Sequence, residues 1–250
     1  MVSFFIKLKI RFFFLLTKIF HFHNNYSTFK KEFEDKNLDF EKSKSILIDY
    51  LKFRSSENST NSSNMISNHY YLIAGISLKS NFKNILEIGT YDGHCTNFIS
   101  HCFPNSSITT IDLKDDDEIF LKSYNRDKIE KLKKHLKLRK ENISHKNNIH
   151  FVQNRSNTFF QENKYFYDLI FIDGDHTDPV VSNDILNSIK YLNKNGLIII
   201  DDIVKRERKI INEYESYAAH DMIDSLKYKK LIKFKLFSKR SIFPYNTHSL

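Results

Sequence analysis

Short runs of aliphatic residues recur along the middle of the chain, and glycines and polar residues separate them. The clearest runs lie at 84–89, 107–113, 167–173 and 196–201, and a shorter one lies at 150–153. Runs of this length without strict alternation predict strands that are buried on both faces. We therefore expect a largely parallel sheet whose two faces are covered by helices.

Between these runs the apolar residues recur at helical spacing, so helices are predicted to alternate with the strands. Residues 231–237 instead alternate apolar and basic side chains, which predicts a half-exposed antiparallel strand at a sheet edge. The predicted class is α/β, a doubly wound, mostly parallel sheet with helices on both faces and this antiparallel edge strand near the C-terminus. The predicted helices lie at 45–53, 65–78, 92–102, 116–139 (with a candidate break near Asn125), 180–192 and 206–226.

The first twenty residues are strongly apolar but carry Lys7, Lys9, Arg11 and Lys18. They form neither an uninterrupted apolar span nor a signal peptide with a small-residue cleavage site. On a helix Lys7, Arg11 and Lys18 would share one face, as in a helix that lies at a membrane surface. A helix packed on its own domain or on a second copy fits the pattern equally well, and the oligomeric state stays open.

A polar stretch at 55–64, rich in Ser and Asn, is typical of a linker or loop. We expect residues 1–64 to form an N-terminal segment with an amphipathic helix, a helical segment and this linker. Residues 65–250 then form the α/β domain.

Charge and cysteine content indicate which binding partners and which cellular compartment to expect. The formal net charge is +9, but most of the cations are lysines spread along the chain without an Arg-rich block. This favours a solvated lysine surface over a nucleic-acid interface. Cys95 and Cys102, seven residues apart, are about 10 Å apart on a helix and cannot form a disulfide with each other. We therefore expect a cytoplasmic protein. A peripheral contact with the inner face of the membrane is compatible with this location.

Acidic residues and glycines follow several predicted strands. Glu87, Gly89 and Gly93 surround the end of the first strand, and Asp112 ends the second strand. In an open α/β sheet, ligands bind at the carboxyl ends of strands, where Asp112 could accept hydrogen bonds from ribose hydroxyls. The glycine spacing differs from the dinucleotide pattern Gly-x-Gly-x-x-Gly.

These residues also resemble a known family. The phrases ILEIGTYDG at 85–93, Ile111-Asp112 and the stretch 168–202 resemble class I S-adenosylmethionine-dependent methyltransferases. Within that class the resemblance is to small-molecule O-methyltransferases, the branch that includes the macrolide-sugar enzymes. It covers roughly residues 65–205.

The resemblance implies a methyl-donor site at the first two strand ends. It implies that the glycines let the backbone approach the methionine moiety, that Glu87 anchors the turn or the cofactor's amino group, and that Asp112 takes the ribose. Ser156 occupies the adenine side, although Asn154 and Arg155 replace the family's Gly-Asp there. The implied cofactor contacts are Glu87, Gly89, Thr90, Tyr91, Gly93, Asp112, Ser156 and Asp173.

The resemblance also implies a metal site and a base on the other half of the sheet. Asp173, Asp201 and Asp202 stand where the sugar-modifying branch binds a divalent ion, and His176 stands where it has its base. Carboxylates suit Mg²⁺, and a neutral imidazole can remove a hydroxyl proton. The implied reaction is methylation of a hydroxyl on a sugar or related small metabolite, with Mg²⁺ or another divalent cation.

Other interpretations stay open from the sequence. Asp201 and Asp202 are adjacent and would point to opposite faces of a regular strand. His176 could cap the following helix, and Asp175 could support His176 rather than bind an ion. The fold could also serve a hydroxylase-like protein, or an inactive member that acts as a membrane-surface binding protein.

Overall fold

A computed structural model describes residues 29–56, 68–204, 206 and 216–226. By their contacts the described residues up to Lys79 belong to one compact unit, and the described residues from Ser80 onward belong to a second. Compactness does not establish independent folding, so the division into 1–64 and 65–250 stays a prediction. Four segments discussed above lie wholly or partly outside the described residues: the amphipathic segment at 1–20, residues 57–64 of the polar stretch, most of 206–216 and the alternating segment at 231–237.

The first unit is helical and has an aromatic core. Residues 29–35 are helical, and α1 (Phe40–Ser56) and α2 (Asn68–Ser77) follow. The rings of Phe29, Phe33 and Phe40 lie within 5.6 Å of one another, centroid to centroid. Helix α1 is longer than the predicted helix at 45–53. None of the helices in the described part of the chain is both long and apolar enough to cross a bilayer.

The second unit alternates strands and helices, as the hydrophobic pattern predicts. Its aliphatic runs become strands because their side chains are buried on both faces of the sheet; β1, for example, is buried from its second residue to its last. The elements are β1 (Asn84–Ile88), α3 (His94–Cys102), β2 (Ser107–Asp112), α4 (Glu118–Lys122), α5 (Ile129–Ile143), β3 (Ile149–Gln153), α6 (Ser156–Glu162), β4 (Tyr167–Ile172), α7 (Val180–Lys190), β5 (Leu192–Ile200) and α8 (Ala218–Ser225).

The five strands form one parallel sheet in the order β3-β2-β1-β4-β5. Ile88 pairs with Ile111 on one side and with Ile172 on the other, so β1 is central. The chain leaves β1 in opposite directions toward β2 and β4, and such a reversal opens a crevice at the carboxyl ends of the strands. The predicted class is confirmed, with every strand in the described sheet parallel.

An apolar core joins the β4 side of the sheet to its helices. Leu86, Ile170 and Ile172 from the central strands pack with Val181 and Ile185 of α7. Burial of each such side chain contributes roughly 1.5–3 kcal/mol. This packing fixes where α7 begins, and therefore where the loop between β4 and α7 lies.

Several elements of the second unit also differ from the prediction; among the described residues of the helix predicted at 206–226, only α8 is helical. The predicted helix at 116–139 breaks into α4 and α5, because Tyr124 and Asn125 both have positive φ in the 3₁₀ turn between them. Strand β5 begins at Leu192 rather than at residue 196. Leu192 pairs with Tyr167, and a register shift between Tyr167 and Leu169 leaves residues 193–196 between the paired positions. Helix α6 has only seven residues and no strong periodicity, so the pattern did not predict it.

Candidate active site

The turn after β1 is held against its neighbours so closely that it requires glycine. Gly89 donates its N–H to the Ile111 carbonyl at 2.9 Å and has a φ of 101°. A Cβ at Gly89 would lie 2.2 Å from the carbonyl oxygen of Asp173, and one at Gly93 would lie 2.7 Å from Ile143. The glycines thus bring the turn against β4 and α5. Their approach to a cofactor stays a prediction.

Glu87, on β1, lies in a buried hydrogen-bond network next to this turn. It is fully buried, and its Oε2 accepts hydrogen bonds from the hydroxyls of Thr96 and, at 2.6 Å, Thr110. The Thr90 hydroxyl lies 2.7 Å from that of Thr110, so Thr90 belongs to the same buried network. Of the two roles implied for Glu87, the hydrogen bonds support that of an anchor for the turn.

Asp112 ends β2 with a carboxylate that is only partly used. Its Oδ2 accepts the Tyr91 N–H and its Oδ1 accepts the Leu113 N–H, both at 2.8 Å. Burial raises the pKa of Asp112, and these two backbone N–H groups oppose the shift. A carboxylate has about four acceptor positions, so each oxygen keeps one for a ligand such as a vicinal diol.

Ser156 lies at the same edge of the sheet, as the first residue of α6. The Asn154 N–H donates to the Asp112 carbonyl at 2.8 Å, and the Asn154 side chain accepts the Arg155 N–H at 2.9 Å. Asn154 therefore forms the turn that carries the chain from β3 to Ser156. This turn leads from the end of β3, next to Asp112, to Ser156. A contact between Ser156 and an adenine stays a prediction.

Four predicted residues converge at the ends of β4 and β5. A carboxylate oxygen of Asp173 lies within 4.8 Å of one from Asp201. His176 places Nε2 3.7 Å from Asp173 Oδ1 and 3.9 Å from Asp202 Oδ2, and its side chain is 11% exposed. These distances are too long for hydrogen bonds but put the imidazole beside the carboxylates.

The backbone explains how adjacent aspartates reach one place. The Asp201 N–H continues the sheet by donating to the Ile172 carbonyl at 3.0 Å, whereas Asp202 has a φ of 49°. This left-handed residue breaks the strand alternation, so the side chains of Asp201 and Asp202 need not point to opposite faces.

Asp175 does not support His176. Its Oδ1 instead accepts the Thr177 N–H at 2.8 Å and the Thr177 hydroxyl at 2.7 Å, which shapes the loop before α7. His176 is held from another direction, because the Ser216 hydroxyl donates to its backbone carbonyl. The alternative role of Asp175 as a partner of His176 is wrong.

Cys95 is a site residue that the sequence analysis missed. It is half-buried in the first turn of α3, and burial raises its pKa well above the usual range; the nearby charges of Glu87 and Asp173 raise the pKa further. The thiol is therefore protonated, so nucleophilic chemistry is disfavoured. Its position two residues after Gly93 was the available signal.

The carboxylates fit a divalent cation. Asp173, Asp201 and Asp202 offer only oxygen donors, which hard cations such as Mg²⁺ prefer. The separation of at most 4.8 Å between Asp173 and Asp201 puts both within reach of one ion. Asp173 and Asp201 would hold such an ion, with His176 beside them; a bond from Asp202 to the same ion stays a prediction.

Comparison with known proteins identifies a family that the chain resembles. Residues 86–203 match a family model described as a methyltransferase domain. Over these residues the chain is similar to methyltransferase domains. The match runs from β1 through Asp202, so it includes both groups of strand-end residues. Comparison with curated proteins gave no match.

Solved structures of other methyltransferases are similar to the chain. An O-methyltransferase from Bacillus cereus in complex with SAH is 19% identical over 72% of this chain and 76% of its own, with a TM-score of 0.46. The O-methyltransferase TomG from Streptomyces achromogenes, involved in tomaymycin synthesis, is 14% identical over 72% and 74%, with a TM-score of 0.44. SAH-bound PaMTH1 from Podospora anserina is 13% identical over 72% and 76%, with a TM-score of 0.47. Identities of this size do not specify an acceptor.

Proposed function

We propose that this methyltransferase domain methylates a hydroxyl of a sugar or related polyhydroxylated metabolite, with Mg²⁺ or another divalent cation. The observation that carries the proposal is the convergence of Asp173, His176, Asp201 and Asp202 beside the Gly89 turn. In the proposal these residues supply a cation site and a base at the edge of the sheet where class I domains react.

The residues at the end of β2 and those at the ends of β4 and β5 have different roles in the proposal. Asp112 has acceptor capacity left for the ribose of S-adenosylmethionine, which supplies the methyl group when bound. Asp173, Asp201 and Asp202 would hold the cation, which when bound stabilises negative charge on an acceptor hydroxyl. The Asp173 N–H donates to the Ile88 carbonyl at 2.9 Å, and Gly89 leaves room for this close approach, so the two groups stay adjacent.

His176 is the residue that takes the acceptor proton. Its Nε2 faces the carboxylates, and a neutral imidazole accepts a proton at that nitrogen. The deprotonated oxygen then forms a bond to the methyl carbon as the carbon–sulfur bond breaks. Positioning of the two reactants by the two halves of the sheet contributes to the rate.

Methyl transfer to a panel of glycosides, with and without a chelator, tests the proposal. We expect activity with Mg²⁺ and loss of it with chelator. His176→Gln should lower kcat by about 10²–10⁴-fold, the usual contribution of a general base. Asp173→Ala combined with Asp201→Ala should abolish metal-dependent turnover, and full activity of that double variant would rule out the metal mechanism.

The matched control is Asp175→Asn. This residue lies in the same loop, but its carboxylate binds Thr177, and an amide oxygen can replace it as an acceptor. We expect nearly unchanged activity. Calorimetric titration with S-adenosylhomocysteine separates the enzyme from a membrane-surface scaffold, because a scaffold without a cofactor site would give no binding heat.

A further inference from the structure

A serine joins the loop that carries His176 to helix α8. The Ser216 hydroxyl donates to the His176 backbone carbonyl, and its oxygen accepts the N–H of Ala218, the first residue of α8, at 3.1 Å. A carbonyl can only accept, so the single hydroxyl proton must point at His176. Ser216 thus ties the start of α8 to a residue 40 positions earlier in the chain.

Helix α8 gives this hydrogen bond a fixed support. Its residues Ala219 and Ile223 are 1% and 7% exposed, and both belong to the apolar core that includes α7. Arg206 also donates two hydrogen bonds to Asp221 on α8, but this pair is exposed and therefore contributes little. The position of Ser216 accordingly depends on core packing rather than on surface charge.

The imidazole of His176 is fixed by few contacts of its own. Within the described residues its buried Nδ1 makes no hydrogen bond. Its Nε2 lies 3.7 Å from Asp173 and 3.9 Å from Asp202, which is beyond hydrogen-bond distance. The direction of the ring is therefore set largely through the backbone of His176.

The peptide group between His176 and Thr177 is held at both ends. Its N–H, on Thr177, donates to Asp175 Oδ1 at 2.8 Å, and its carbonyl, on His176, accepts from Ser216. Because a peptide group is planar, hydrogen bonds at its two ends fix its rotation, and the ψ angle of His176 with it. Loss of the Ser216 hydroxyl would leave only the N–H end held.

We infer that Ser216 is a positioning residue for His176, and that it holds the imidazole beside the strand-end carboxylates through the peptide group between His176 and Thr177. The inference rests on the proposed function, because it takes His176 as the group that removes the proton of the acceptor hydroxyl. Ser216 would act only through His176, so its loss should lower turnover and leave donor binding unchanged.

A double-variant cycle, measured as methyl transfer to the panel of glycosides, tests the inference. Ser216→Ala should lower kcat about threefold to tenfold, the range expected for one lost hydrogen bond, with KM for S-adenosylmethionine nearly unchanged. In a His176→Gln background the same change should lower kcat by less than about twofold, because the residue that Ser216 positions is already gone. An equal loss in both backgrounds, or no loss in either, overturns the inference.

A matched pair of variants separates the hydroxyl from the bulk of the side chain. Ser216→Thr keeps the hydroxyl and should keep most of the activity, whereas Ser216→Val puts a methyl group in its place and should lose as much as Ser216→Ala. Ser225→Ala is the control, because the Ser225 hydroxyl donates to the Met222 carbonyl of the same helix at 2.7 Å. Calorimetric titration with S-adenosylhomocysteine should give the same affinity for all of these variants. Equal kcat values for the Thr and Val variants overturn the inference.

Nuclear magnetic resonance of isotope-labelled histidine rings reports the position of His176 without an acceptor. The His176 signal is identified by its loss in His176→Gln. It should shift in Ser216→Val and stay in place in Ser216→Thr and Ser225→Ala, and an unmoved signal in Ser216→Val overturns the inference. Unchanged kcat in His176→Gln, or no turnover by the unaltered protein, instead overturns the proposed function, and the inference falls with it.

Discussion

At the scale of single residues, Asp184 shows how the fold places a charge where it is costly. Asp184 lies on α7 with 1% of its surface exposed, and within the described residues neither carboxylate oxygen makes a hydrogen bond. Burial raises the pKa of Asp184 to about 6; the nearby Ser156 hydroxyl opposes the shift, and the charge of Asp175 adds to it. The sequence shows only an aspartate at a helical position, because burial depends on the packing of α7 against the sheet.

Asp184 should therefore make the free energy of unfolding depend on pH. Its folded pKa of about 6 exceeds the unfolded value of 3.8, so the folded state binds the proton more tightly. The cost of ionisation is fully present above about pH 6 and is relieved as the pH falls toward 4. Two pKa units correspond to roughly 3 kcal/mol.

We expect Asp184→Asn to be more stable than the unaltered protein at pH 8 by up to about 3 kcal/mol, and nearly equal to it at pH 4. Urea unfolding across pH 4–8 measures this difference. Glu162→Gln, at an exposed position at the end of α6, is the control. A lower stability of Asp184→Asn throughout the range would show that the ionised carboxylate is needed.

At the scale of elements, the turn after β1 and the loop after β4 lie in close contact. Each carries a glycine, but only the one after β1 lacks space for a larger side chain. Gly89 has a φ of 101°, and a Cβ there would lie 2.2 Å from the Asp173 carbonyl oxygen. Gly174 follows Asp173 in the opposing loop, and a Cβ there would meet Ile88 at an ordinary distance of 3.5 Å. The same substitution at both positions therefore compares a left-handed, closely packed glycine with one that has ordinary space.

Gly89→Ala should lower the free energy of unfolding by about 2–5 kcal/mol, from backbone strain and overpacking together. It should also weaken S-adenosylhomocysteine binding, because the turn has to move away from Asp173. Gly174→Ala should leave thermal stability almost unchanged. Equal melting temperatures for the two variants would contradict the close approach of β1 to β4.

At the scale of the whole molecule, the net charge of +9 and the basic, apolar residues 1–20 suggest a membrane contact. We expect full-length protein to stay with membranes after carbonate extraction and a form lacking residues 1–20 to be released. A full-length variant with glutamate at positions 7, 11 and 18 should bind phosphatidylserine vesicles less well. Equal solubility of the complete and shortened chains would exclude the anchor.

The sequence by itself determined the order of elements, the parallel sheet and the edge where the site lies. Aliphatic runs and the helices between them are local patterns, and a parallel sheet brings the carboxyl ends of its strands together. Asp112, Asp173 and Asp201 could therefore be placed at one edge before any contact was known. The resemblance to methyltransferases added the chemistry of those positions.

Only the tertiary structure decided the geometry within the site. The left-handed turn at Asp202, the role of Asp175 in its own loop and the place of Cys95 beside the carboxylates depend on how strands and loops pack. The Arg126 guanidinium lies beside the His135 ring, and the centroid of that ring is 5.0 Å from the Tyr91 ring centroid, although Tyr91 and His135 are 44 positions apart (135 minus 91). Contacts over such separations have no local sequence pattern, because they form only when packed helices bring their side chains to the turn after β1.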